Sequence, residues 1–210
     1  MINILHHLFS AVCGQNPDHT WSPGGEPLVC CQRCLGLYVG AAVALALHWW
    51  FRPKLTGRFL EVHGLFMLVM LPCGFHWLPQ GPVLRTLSGI LFGFGVVTFL
   101  WLSLAARIES SRHDGVDQQP SESIPNELGT LRRRQVRSWP QAAYACGLLG
   151  CMLVLPLLAA RGGEWAALVL SAVAICGLSA LGGLAMANFC LGILAGFRLG
   201  FRLRRACQIV

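Results

Sequence analysis

Residues 35–51 read Leu35-Gly36-Leu37-Tyr38-Val39-Gly40-Ala41-Ala42-Val43-Ala44-Leu45-Ala46-Leu47-His48-Trp49-Trp50-Phe51, with no Lys, Arg, Asp or Glu among them. A run of this length is about the shortest helix that crosses the hydrocarbon core of a bilayer. Small residues recur every fourth position at Gly36, Gly40 and Ala44, the spacing that lets two helix backbones approach closely in a membrane. Trp49 and Trp50 close the run where an aromatic belt belongs, and Arg52, Lys54 and Arg58 follow at once. The stretch predicts a transmembrane helix.

Downstream the pattern repeats. Leu60–Leu78 is a second apolar run, with Pro72 inside it as a predicted kink. Val83–Ala106 is a third, with a small pair at Gly89 and Gly93. Arg107–Ser138 is a long polar loop. Its latter part, Asn126–Trp139, interleaves Leu128, Leu131 and Val136 with Arg132, Arg133, Arg134 and Arg137, as a basic helix on the bilayer surface would. Gln141–Ala160 is a fourth run. Trp165–Leu199 is apolar for longer than one crossing requires, so it is either one long tilted helix or two short ones broken at Gly182-Gly183. Upstream, Met1–Val12 is too short to span and lacks the basic flank of a signal peptide. The spacing of Ile4, Leu5, Leu8, Phe9 and Val12 predicts a short amphipathic helix on the membrane surface.

Composition agrees with this pattern. Apolar residues make up 55% and charged residues 12% of the 210, too few charges to cover a soluble core. The net charge of +7 is confined to the gaps between apolar runs, which reports membrane topology and anionic headgroups rather than a nucleic-acid partner. The predicted partners are the lipid bilayer and a membrane protein docked on a small-residue helix face. No Asp or Glu lies in the middle of a span, so an ion-coupled transporter or proton pump is not indicated. No phosphate-binding loop, dinucleotide fingerprint or nucleophile elbow is present.

The expected fold is therefore all-α, a polytopic transmembrane bundle of about five spans under a Cys/His-rich N-terminal cap. Residues 1–34 form the cap, 35–106 a three-span core and 107–139 the polar basic loop. Residues 140–210 supply two further spans and a basic tail. The loops after the first and third spans carry most of the Arg and Lys and fall on one side, together with Arg198, Arg202, Arg204 and Arg205. The positive-inside rule makes that side cytoplasmic and puts the cap outside, in a bacterial inner membrane.

The cap holds Cys13, His19, Cys30, Cys31 and Cys34. Cys31-Gln32-Arg33-Cys34 is a C-x-x-C, a spacing at which two thiolates grip one tetrahedral zinc or similar thiophilic ion. Cys13 and His19 can complete a Cys3His set. The same residues suit a redox dithiol, a disulfide outside the cytoplasm, or plain packing. Cys30 is the spare, because adjacent cysteines rarely ligate one metal. Topology returns Cys73 and His76 to the cap's side of the membrane, which makes His76 a second candidate for the fourth ligand. His48 and His63, near the far ends of the first two spans, form a single pair, too little to indicate b-type haem, and residue 35 is Leu where covalent haem needs His.

The boxes Cys13-Gly14-Gln15-Asn16-Pro17-Asp18-His19-Thr20-Trp21 and Cys31-Gln32-Arg33-Cys34-Leu35-Gly36-Leu37-Tyr38, with Leu84-Arg85-Thr86-Leu87-Ser88-Gly89-Ile90-Leu91-Phe92-Gly93 downstream, resemble a family of small prokaryotic multi-span membrane proteins of unknown function. It is the domain-of-unknown-function family numbered two thousand and eighty-five. The resemblance covers residues 13–106 and implies the place of a site, not a reaction. This chain has Gly14 where the family has His, His19 where it has Arg, and Cys73-Gly74 where an Asp-Gly pair is usual. The resemblance implies either that the family site is lost or altered in this member or that His19 and Cys73 rebuild it as a softer, more sulfur-rich one. Three readings of function follow: a membrane metalloprotein, a non-enzymatic subunit or scaffold with a disulfide-stapled cap, and a thiol-disulfide relay. Enzyme status is left open, since Asp18 and Glu26 are the only carboxylates near the cluster.

Overall fold

The computed structural model describes residues 7, 9–53, 56–75, 77, 80–113 and 139–207, with side chains to 108 and 193 in the last two stretches. Among these residues the chain is all-helical. Its long helices are α1 (Gln32–Phe51), α2 (Gly57–Gly74), α3 (Pro82–His113), α4 (Trp139–Arg161) and α5 (Glu164–Cys207). Four of the five are long and apolar enough to cross a membrane; α2 is the exception. It has only 18 residues and carries Arg58, Glu61 and His63 in its first two turns. It nevertheless runs the length of the bundle, because Gly64 lies against Phe99 and Gly95 against His63 and Met67, antiparallel to α3.

Local chemistry sets the ends. Arg52 leaves α1 in the left-handed conformation, φ 44°, its N–H still on the His48 carbonyl at 3.1 Å, and Pro53 cannot continue the helix. Thr56 then caps α2 by accepting from the Phe59 N–H at 3.3 Å. Pro72 falls in the last turn of α2, which stops two residues later, so it helps end the helix rather than bending its middle.

The seam of the bundle is the parallel pair α1–α3. A Cβ on Gly36 would overlap the Thr86 carbonyl, and one on Gly40 would come within 2.8 Å of the Ile90 carbonyl oxygen. In return, Gly89 lies on the Arg33 carbonyl and Gly93 on the Leu37 carbonyl. The two small-residue stripes thus serve each other inside the chain. Gly177 of α5 packs as closely on the backbone of Tyr38, a third contact on α1. Hence α1 is the central helix, touching α3, α5 and α4, and Ala41, Ala44, Ile90, Phe94, Val97 and Ala174 form the buried core.

Expectations about the helix ends are refined by the structure. The helix of the third run continues through Arg107 to His113, so the polar loop starts later; the basic surface helix expected at 126–138 lies outside the described residues. Of the two alternatives for the last apolar run, the structure has the single long helix, with no break at Gly182-Gly183, whose positions meet nothing within 4 Å. The amphipathic surface helix expected at the N-terminus is described only at residues 7 and 9–12. There Phe9 is fully buried against Tyr38, with ring centroids 5.6 Å apart, instead of lying on the bilayer.

Successive helices alternate in direction. Arg52, Arg58 and Arg107 consequently share one end of the bundle, while the cap, Gln80 and Glu164 share the other.

Candidate metal centre

Between Asn16 and Glu26 the cap is short of apolar residues, so turn chemistry folds that stretch. Gln15 reverses the chain at φ 45°, and its amide donates to the Val29 carbonyl at 2.9 Å. Asn16 accepts from the Asp18 N–H at 3.0 Å and caps a single helical turn, Pro17–His19. Thr20 forms an antiparallel bridge with Cys31, and the Leu28 N–H donates to the Trp21 carbonyl at 2.9 Å. The link between these arms turns at Gly24 and Gly25, both at positive φ. Besides Phe9 against Tyr38, the Trp21 indole fastens the cap to the bundle by donating to the Thr86 hydroxyl of α3 at 2.9 Å, and Gly24 sits on the first residue of α5.

This fold-back superposes the two cysteine boxes. The sulfurs of Cys13, Cys31 and Cys34 all lie within 4.8 Å of one another, although Cys13 comes from the far side of the loop. Cys31 caps α1 and Cys34 follows one turn later, so both thiols face the same way. The Cys31 N–H donates to the Cys13 sulfur at 3.3 Å. Hydrogen bonds from the Cys31 and Cys34 thiols, aided by that N–H, hold the Cys13 thiol well below the ordinary cysteine range, against the opposing effect of burial. All three are free thiols.

Cys31 and Cys34 line a cavity of about 200 Å³ together with Gln15, His19, Arg33 and Arg85. His19 stands in the wall and outside the triad. Its Nδ1 accepts from the Arg85 guanidinium at 2.5 Å. Arg33 reaches sideways to the end of α2, donating to the Cys73 carbonyl at 2.6 Å and to Gln80 at 2.9 Å, while Gln80 donates to the same carbonyl at 2.8 Å. Cys73 is buried there, on the cap side and outside the triad. Cys30 is buried too, and burial pushes its thiol up. His76 lies outside the described residues. Cys146, Cys176 and Cys190 are exposed on the outer faces of α4 and α5, and Cys151 is half-buried.

A second polar cluster lies inside the bundle, toward the basic end. His48 and His63 are 0% and 2% exposed, too deep for interfacial side chains reaching toward water. Their Nδ1 atoms face the carbonyls of Ala44 and Phe59 at 2.9 and 2.7 Å, and a carbonyl only accepts, so both Nδ1 atoms carry the proton. The Tyr144 hydroxyl is 3.0 Å from His63 Nε2 and 3.3 Å from the Thr98 hydroxyl, which in turn is 3.5 Å from His48 Nε2. Thr98 and Tyr144 are not part of any sequence motif, and only packing places them here.

No curated protein and no solved structure matches the chain. Residues 13–99, from the first cysteine of the triad to the middle of α3, match the model of the family described as "Predicted membrane protein (DUF2085)".

Proposed function

We propose that this membrane protein holds a thiophilic metal ion, zinc above all, on Cys13, Cys31 and Cys34. The observation that carries the reading is the convergence of three thiols from two separate segments to within 4.8 Å. Thiols gain little from one another, being weak donors and weak acceptors. Thiolates around a zinc ion gain a great deal, and a zinc–sulfur bond of about 2.3 Å asks for sulfurs about 3.5–4 Å apart. Closing the triad to that size needs a shift of about an ångström or less. Bound metal would supply folding free energy to a cap whose loop between Asn16 and Glu26 has few apolar residues of its own. The fourth position would face the cavity walled by His19, Arg33 and Arg85.

Arg52, Arg58 and Arg107 gather at the opposite end of the bundle, which supports a cytoplasmic assignment for that end and an external one for the metal centre. The family resemblance fits a prokaryotic cytoplasmic membrane.

Metal analysis of purified protein, run beside thiol counting on the unfolded chain, tests the reading. About one zinc per chain and all ten cysteines as thiols after chelation are expected. No metal and two thiols fewer would replace it with the disulfide-stapled cap.

A further inference from the structure

We propose that the groove between α1 and α5, toward the basic end of the bundle, seats an acyl chain of an anionic phospholipid whose headgroup meets Arg52 and Arg107. The proposal is independent of the metal centre at the other end.

The groove follows from how α5 is fastened. Gly177 lets α5 lie directly on the backbone of Tyr38, with no side chain between the two helices. Three turns on, Asn188 ties α5 to α3 instead. Its amide donates to the Leu100 carbonyl at 3.0 Å, and its side-chain oxygen accepts from the Ser103 hydroxyl. One turn further, Gly192 lies against the Arg107 guanidinium. Between the two fastenings α5 changes neighbours, and a space of about 620 Å³ opens. It is lined by Ala42, Ala46 and Trp49 of α1, Trp101 of α3, and Ala180 and Gly183 of α5, among others. The small residues do not reach across it, and a Cβ on Gly183 would meet nothing within 4 Å. Trp101 forms the back wall, with the rings of Trp49 and His48 centred 6.5 and 6.0 Å from its own.

The chemistry of the lining names the occupant. None of the lining residues is charged or carries an amide side chain. Water finds too few partners there, and an apolar space left empty forfeits dispersion contacts. Ala46, Trp49, Ala180 and Gly183 are exposed, so the groove opens outward to the bilayer, where hydrocarbon is at hand. Its volume falls in the range of pockets that hold one small molecule, about 300–1,000 Å³. Charge at the mouth selects the headgroup. Arg52 follows Trp49 by one turn on α1, and Arg107 follows Leu104, another lining residue, by one turn on α3. Among the described side chains at that end the only carboxylate is Glu61, and it belongs to α2, which contributes nothing to the groove. Arginines at this depth attract anionic headgroups. A slot for one chain with cations at its mouth is more than a flat lipid-facing helix offers.

The test uses full-length protein in an uncharged detergent. Dioleoylphosphatidylglycerol and dioleoylphosphatidylcholine are titrated separately, and bound lipid is counted by native mass spectrometry. The wild type should hold a single phosphatidylglycerol and prefer it more than about tenfold, the effect of two arginines near one headgroup. Gly183→Leu puts a side chain into open groove without a clash inside the chain, so it should abolish that site while the melting temperature in lipid-free detergent does not fall. Arg52→Gln and Arg107→Gln should each lower the preference about fivefold. Equal binding of the two lipids by the wild type overturns the proposal, as does undiminished phosphatidylglycerol binding in Gly183→Leu. A wild-type dimer that Gly183→Leu makes monomeric, with lipid binding untouched, gives the groove to a second copy of the chain and overturns the lipid. If Gly183→Leu does not fold, the exposed Arg52 decides, and an unchanged preference in Arg52→Gln overturns the proposal.

Discussion

The two polar clusters of this molecule sit at opposite ends of the same helices and are built on opposite terms. In the inner cluster every group has a partner from within the chain. Two imidazoles donate to carbonyls of their own helices, and the hydroxyls of Tyr144 and Thr98 serve the two remaining ring nitrogens. One proton for each acceptor lets four polar side chains stay in a dry interior without a charge, which is the condition for tolerating them there. At the outer cluster the chain gathers three thiols whose hydrogen bonds run among themselves and to the Cys31 N–H, beside a cavity of about 200 Å³. The first cluster is closed and the second is open. Closure fits polar groups that serve the fold, and openness fits the metal site proposed above.

The largest expected effect separates the two directly. Cys34→Ser should lower zinc affinity by more than about a hundredfold, beyond the loss typical of groups that only orient a ligand. Tyr144→Phe should leave the metal content unchanged. Metal analysis of both variants checks this, and equal zinc in Cys34→Ser and wild type would erase the distinction.

Next comes the seam that joins the clusters. Gly89→Leu drives a side chain into the Arg33 carbonyl, so α1 and α3 must part; the cost should be at least about 1–3 kcal/mol. It should show as a lower melting temperature in detergent together with weaker metal retention, since Arg33 lies between Cys31 and Cys34. Normal values of both would mean that the seam is looser than the contacts indicate.

Tyr144→Phe removes the donor to His63 Nε2 in a buried site and should cost about 1–2 kcal/mol, read as a fall in melting temperature. A thermally silent substitution would show that the inner network is not closed in the sense argued here. The smallest effect belongs to Cys146→Ser, exposed on the outer face of α4, which should change stability by less than about 0.5 kcal/mol and zinc content not at all.

Some of this was readable from the chain alone. Apolar runs near 20 residues report helices because the bilayer leaves a backbone no other way to satisfy itself, and the gaps between them locate the turns. Small residues at every fourth position on 36–44 and 89–93 report close packing for the same local reason. The place of the cluster was legible as well, since the C-x-x-C at the start of a helix presents two thiols on one side whatever follows. The helix ends were less legible. Arg107 looked like the start of a loop, yet α3 runs on to His113, because a helix leaving the membrane can continue in water. Gly182-Gly183 left one long helix and two short ones both open, and α5 runs through it as one helix.

What the sequence by itself determined, then, is an all-helical membrane chain with a sulfur-rich cap at one end, because those properties follow from composition and short-range spacing. The tertiary structure alone decided which polar residues meet. It brought Cys13 to the C-x-x-C through the Gln15 turn and the Thr20–Cys31 bridge, set His19 against Arg85 across 66 residues, and drew His63 to Tyr144 across 81. The physical reason is that such meetings depend on how helices separated in sequence rotate and pack against one another, and the packing of α1 against α3, through glycines on both, fixes that rotation for the whole bundle.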